Sequence, residues 1–163
     1  MSIKIITADK SDVQVIREIA LKSWEATYTP IIGKEQVDYM LSEIYEIDSL
    51  NKQLDEGQEF ILVYLDEIPT GFISYNFQSG FRYRIPKLYV DPDNHRKGFG
   101  KILLYEVFKR VKEKGGEVIE LNVNRYNKAK GFYEKYDFKV IREEDIPIGK
   151  YWMNDFVMER EIK

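Results

Sequence analysis

The sequence contains no cysteine, which removes disulfides, thiolate metal ligands and cysteine nucleophiles together. Its one histidine is His95, so neither a Ser-His-Asp triad nor a multi-histidine metal site is expected, and no metal is assigned. No apolar run approaches the length of a membrane span, and the opening Met1-Ser2-Ile3-Lys4-Ile5-Ile6 lacks the layout of a signal peptide. Lys plus Arg number 25 against 28 Asp plus Glu, a net charge of -3, which is not the basic footprint of a nucleic-acid binder. No G-x-x-x-x-G-K-[ST] occurs, and after Gly98 and Gly100 the third glycine of a dinucleotide fingerprint would fall on Leu103. What these absences leave is one cytoplasmic domain spanning 1-163, a monomer or homodimer, with no membrane and no nucleic-acid partner.

The stretch that carries chemistry runs from Leu88 to Tyr105. An apolar strand ends at Val90, Asp91-Pro92-Asp93-Asn94 breaks it, and a basic, glycine-containing loop opens an amphipathic helix. Helix N-termini leave backbone N–H groups unpaired and carry partial positive charge, so this is the layout of an anion cradle. Gly98 and Gly100 remove side chains that would hold a ligand away from the backbone.

Around this stretch the periodicities give strands at Ile3 to Thr7, Glu59 to Leu65, Gly71 to Phe77, Arg82 to Val90, Glu117 to Val123, Phe138 to Arg142 and Met153 to Ile162. Helices are expected over about residues 11 to 26, opened by a Ser11/Gln14 capping box and interrupted at Thr29 to Gly33. Others follow around Val37, Met40, Leu41 and Ile44, around Leu50 and Leu54 up to Gly57, from Lys101 to Lys114, and after a cap at Asn127. Pro86 lacks an N–H, so the strand that leads into the loop should carry a bulge or lie at an edge. The order implies an α/β (α+β) fold, a mixed sheet with helices on its faces.

The combination of Leu88-Tyr89-Val90, the loop His95-Arg96-Lys97-Gly98-Phe99-Gly100, and Asn127-Lys128-Ala129-Lys130-Gly131-Phe132-Tyr133-Glu134-Lys135-Tyr136-Asp137-Phe138 resembles the GNAT superfamily of acetyl-CoA-dependent N-acetyltransferases. The resemblance implies a mixed, mostly antiparallel twisted sheet with helices on both faces. It implies acetyl-CoA as cofactor, its acyl arm held by Leu88, Tyr89 and Val90 and its pyrophosphate by the loop from His95 through Arg96, Lys97, Gly98, Phe99 and Gly100 to Lys101. Asn127 would lie near the coenzyme, and Tyr133 would be the general acid that protonates the departing thiolate. The family's Gln or Arg is His95 here, and its usual Gly before the closing Phe is Asp137, a residue that tolerates a left-handed backbone. The segment Trp24 to Tyr28 and the ending Met153 to Glu159 look similar to the branch that includes bacterial spermidine/spermine acetyltransferases.

The implied reaction is acetyl transfer to a primary amine. Trp24, Glu25 and Tyr28 are candidates for the acceptor pocket, and Glu25 or Glu120 for the base. Residues 25 to 59 hold nine acids against two bases, and residues 82 to 115 ten bases against four acids. Ordinary solvated helix faces account for this asymmetry, as does an acidic half facing a polyamine or other small cation. A protein or peptide amine, or a non-catalytic acyl-CoA-binding module, are the competing functions.

Overall fold

The second strand shows how the layers are built. In Phe60-Ile61-Leu62-Val63 the side chains alternate, Phe60 and Leu62 entering one apolar cluster and Ile61 and Val63 another on the opposite face. A strand buried on both sides must have helices over both faces, and the computed structural model, which describes residues 2–162, has them. The elements are β1 (Ile3–Thr7), α1 (Val13–Ile32), α2 (Lys34–Ile44), α3 (Ile47–Asp55), β2 (Glu59–Leu65), β3 (Ile68–Ser79), β4 (Arg82–Val90), α4 (Phe99–Glu113), β5 (Val118–Asn124), α5 (Ala129–Lys135), β6 (Lys139–Ile148) and β7 (Tyr151–Glu161). Helices α1 to α3 cover one face; α4 and α5 cover the other. No helix among the described residues is long and apolar enough to cross a membrane.

The seven strands lie in the order β1-β2-β3-β4-β5-β7-β6. Every neighbouring pair is antiparallel except β4 with β5. That parallel ladder runs only from Arg82↔Val118 to Ile85↔Leu121 and then stops, although both strands continue. The cause lies on the other edge of β4. Ser74 pairs with Lys87 and Asn76 with Arg84, so Ile85 and Pro86 together face the single residue Tyr75. Pro86 cannot donate a ladder bond, and the extra residue forms the bulge anticipated from the sequence. A bulge bends its strand, and beyond this one β4 and β5 diverge.

Several element boundaries differ from the sequence reading. The cap of the first helical segment sits on Asp9, not Ser11: the Asp9 carboxylate accepts the Ser11 N–H at 2.8 Å, and Asp12 accepts the Asp9 N–H at 3.0 Å. Helix α1 runs past Pro30 because a proline in the last turn forfeits a single bond, and the helix stops at Gly33, where φ is 83°. Strands β6 and β7 form a longer hairpin than expected, turning at Gly149, with Glu143↔Phe156 and Glu144↔Asp155 inside it. Glu143-Glu144-Asp145, beyond the strand end expected at Arg142, suits an edge strand that must not pair with another chain.

Candidate active site

The divergence of β4 and β5 opens a wedge lined by Tyr28, Ile85 to Tyr89, Asn122, Val123, Asn127, Ala129 and Tyr133. Across the β3 side of β4, the Asp91 N–H bonds Thr70 O at 2.7 Å. Because bonded residues alternate along an antiparallel ladder, Leu88 and Val90 turn their backbone groups to the other edge, toward the wedge. The Val90 carbonyl confirms this direction: it accepts from Ser23 Oγ at 3.3 Å and lies 2.9 Å from His95 Nε2. A carbonyl only accepts, so Nε2 carries the hydrogen. His95 therefore ties the loop back to the end of β4. Tyr89, of opposite parity, spends its backbone on β3 and sends its ring under the α1–α3 face.

The loop from His95 to Lys101 keeps the anion-cradle geometry. Arg96 and Gly98 are both left-handed, with φ of 66° and 85°. The first backbone bond of α4 is Ile102 N–H to Gly98 O, and no side chain caps the helix, so the first-turn N–H groups of Phe99, Gly100 and Lys101 have no partner among the described residues. Phe99 is buried in the α4 core and anchors the turn. The two glycines serve different ends. Gly98 takes a φ that side chains resist, with open space around it. A Cβ at Gly100 would lie 3.1 Å from the Phe132 ring of α5, so this glycine sets how closely α4 and α5 approach.

Asn127 bridges layers. Its Oδ1 accepts the Ala129 N–H at 2.9 Å, capping α5, and its Nδ2 donates to Tyr28 Oη at 3.3 Å, which lies 3.4 Å from Tyr89 Oη. Tyr133 projects from α5 into the wedge, with no hydrogen-bond partner for its hydroxyl among the described residues. Burial first, and the nearby Tyr28 second, push its phenol well above the ordinary value of 10. Asp137, at φ 68°, adopts the left-handed conformation anticipated for it.

The acceptor-side candidates separate. Tyr28 lines the wedge. Trp24 packs behind it, its ring 4.4 Å from that of Tyr28 and its side chain in the core. Glu25 is exposed on α1 and does not line the wedge. Glu120, 3% exposed, is boxed by guanidinium groups, Arg82 and Arg84 at 3.4 Å and Arg142 at 3.6 Å, and is occupied as a structural anion. The acids between residues 25 and 59 do not converge on the wedge either: Glu35, Asp38, Glu46, Asp55, Glu56 and Glu59 hold ion pairs with Lys150, Lys34, Arg17, Lys10, Lys52 and Arg110. What the sequence did not single out is Asn122 at the wedge wall and, behind it, Asp155 on β7, 7% exposed.

With the geometry in place, the comparisons are consistent. The Acetyltransferase (GNAT) domain family matches residues 28–154. Over 99% of this chain and 98% of the relative, the sequence is 29% identical to a spermidine N(1)-acetyltransferase of Thermoplasma acidophilum. The crystal structure of the PaiA N-acetyltransferase from Thermoplasma acidophilum in complex with coenzyme A superposes with a TM-score of 0.85 at 30% identity, covering 99% of each chain. A ribosomal-protein alanine N-acetyltransferase from Escherichia coli shares the fold at 15% identity and a TM-score of 0.76, over 99% of this chain and 95% of the other. The chain belongs to the GNAT acetyltransferase family and is an acetyl-CoA-dependent N-acetyltransferase.

Proposed function

We propose that the chain acetylates a primary amine of a small cationic molecule of the polyamine class. The observation that carries this reading is the likeness to the spermidine N(1)-acetyltransferase over 99% of the chain, which includes the α1–α3 layer and the β6–β7 hairpin on the acceptor side. The acceptor face is also narrowed by its own structure. Gln36 Nε2 donates to Trp152 O at 2.9 Å, and the Tyr151 hydroxyl donates to Glu35 at 2.6 Å, so the hairpin is clasped to α2. A clasp of this kind suits a small acceptor better than the open groove a protein substrate needs.

In the same proposal the coenzyme pyrophosphate lies on the first-turn N–H groups of α4, the pantetheine arm follows the wedge-facing edge of Leu88 and Val90, and the thioester reaches Tyr28, Asn127 and Tyr133. Tyr133 is the general acid, and residues 1-163 act as one catalytic domain working in the cytoplasm. Because the backbone does the binding, Gly100→Val, whose Cβ would meet the Phe132 ring at 3.1 Å and shift the first turn of α4, is expected to weaken acetyl-CoA by about tenfold or more. Lys97→Ala, the loss of one exposed cation, should cost only about 0.2–1 kcal/mol. Isothermal titration with acetyl-CoA checks the order of the two.

The function itself is tested by free-thiol release from acetyl-CoA over spermidine, spermine, putrescine and a lysine-containing peptide. Turnover with the polyamines and little with the peptide is the expected result. Turnover confined to the peptide would move the acceptor to proteins, and coenzyme binding without thiol release for any amine would leave a binding module.

A further inference from the structure

An acetyl acceptor arrives as an ammonium and must lose a proton before its nitrogen can attack, so the site needs a group to receive both. The wedge and its surroundings hold few buried ionisable side chains. Lys87 has no negative charge with which to hold an ammonium, and Glu120 is saturated by arginines. Among the described residues the remaining buried carboxylate is Asp155. Its Oδ2 accepts from Asn122 Nδ2 at 3.2 Å, while its Oδ1 is buried with no partner among the described residues. That bond fixes the orientation of the Asn122 amide, since only its NH₂ can face a carboxylate, and so Asn122 Oδ1 is an acceptor as well. It too is buried without a donor. Two adjacent buried acceptors call for hydrogens from outside the chain, and an ammonium brings three. Asn122 lines the wedge, and Asp155 is close enough to Tyr28 to act on its phenol electrostatically.

We propose that Asp155, oriented by Asn122, is the acceptor-side catalytic carboxylate: it binds the incoming primary ammonium and takes its first proton. This rests on the amine-acetyltransferase reading above. The nitrogen loses two protons between ammonium and amide. One passes to Asp155 and on to solvent. The N–C bond then forms at the thioester carbon, the C–S bond breaks as Tyr133 gives its proton to the departing sulfur, and the second proton, leaving the nitrogen, restores the Tyr133 hydroxyl. The charged groups facing Asp155 leave it unpaired. Arg84 on β4 is committed to Glu120 at 3.4 Å and Arg125 to Asp145 at 2.9 Å, while Glu144 on β6 adds a like charge. Burial is the largest influence and raises the carboxyl above its ordinary value, toward the range in which a carboxylate makes a better base.

The test is the pH dependence of kcat/KM for spermidine at saturating acetyl-CoA, in wild type, Asp155→Asn and Asn122→Asp. An enzyme that binds the ammonium and deprotonates it shows kcat/KM levelling off well below the amine's own pKa. In Asp155→Asn the value should fall about 10²-fold or more, as for loss of a general base, and rise tenfold per pH unit up to the amine's pKa, with acetyl-CoA affinity unchanged. Asn122→Asp, which sets a second carboxylate beside the first, should move the acid limb to higher pH. It serves if Asp155→Asn does not fold. The assignment is overturned if Asp155→Asn keeps the wild-type rate and plateau, or if the acid limb stays in place in Asn122→Asp. No thiol release by wild type with any amine would overturn the acetyltransferase reading and the assignment together, whereas intact release in Asp155→Asn overturns the assignment alone.

Discussion

Tyr133→Phe is expected to lower kcat by about 10²–10³-fold, in the range for loss of a general acid. The dissociation constant for acetyl-CoA should stay within about twofold, because the phenol is asked to act when charge develops on sulfur and not before. The ring is held by Phe132 and Phe138, with centroids 5.4 and 5.7 Å away, and phenylalanine keeps both contacts. What disappears is the hydroxyl. A thiol of pKa ~8.5 and a phenol of ~10 already differ by about 2 kcal/mol in the unfavourable direction. Burial widens the gap by holding the phenol neutral. In the proposed role Tyr133 is thus protonated throughout the working range and gives up its proton only as charge develops on the departing sulfur. Stopped-flow or steady-state thiol release gives kcat, and calorimetry gives the affinity. A variant with wild-type kcat would reduce Tyr133 to a packing residue.

Lys87→Met should stabilise the protein by about 2–4 kcal/mol at pH 6, with the advantage shrinking as pH rises toward 9. Lys87 lies on the α1–α3 face of the sheet, 8% exposed, with Nζ 2.9 Å from Gln58 Oε1 and over the rings of Phe60 and Tyr45 at 5.6 and 5.8 Å. Burial, and then the positive charge of Arg84, bring its amine down from 10.5 to about 7. Between about 7 and 10.5 the unfolded chain therefore binds more protons than the folded one, so stability increases with pH across that window; below 7 both states are protonated and the penalty is complete. Each tenfold in proton affinity is worth ~1.4 kcal/mol, which makes the full effect on the order of 4–5 kcal/mol. The Gln58 bond and the two ring faces, which methionine cannot replace in kind, return part of it. Above about 10 the buried Tyr28, Tyr89 and Tyr133, all raised, turn the profile down again, so urea melts at pH 6, 7.5 and 9 bracket the useful range. A Lys87→Met advantage that is equal at all three would show that the lysine carries its charge inside the fold.

Lys87 and Asp155 also show where sequence reading runs out. Alternation along β7 picks out Phe156 and Met158 as one apolar face, and an aspartate on the opposite parity then reads as solvent-facing. Whether that second face is covered depends on where other elements dock, and here Met153 and the α1–α3 layer cover it. The same holds for Lys87, which in sequence is one of a set of bases. Local signals were legible because their causes are local: the missing N–H of Pro86 produced the bulge, Gly115 ended α4, and Asp137 turned left-handed. The left-handed Arg96 had no such signal, since arginine has no preference for that conformation. The cap at Asp9 was displaced by two residues because Asp9 and Ser11 are both good cap residues, and which of them wins depends on where the preceding strand ends.

The strand order has a consequence in time. β7 is the last strand in the chain, yet it sits between β5 and β6 and not at the rim of the sheet. During synthesis the loop from His95 to Lys101, α4 and β5 all emerge first, and α5 follows. Until residues 151–161 are made, β5 has a neighbour on only one side, and that one over four residues. The wedge wall that carries Asn122, and the carboxylate behind it, are assembled last. Pairing of β7 with β5 thus completes, along the whole of that strand, the wall of the wedge in which the proposed acetyl-transfer site lies.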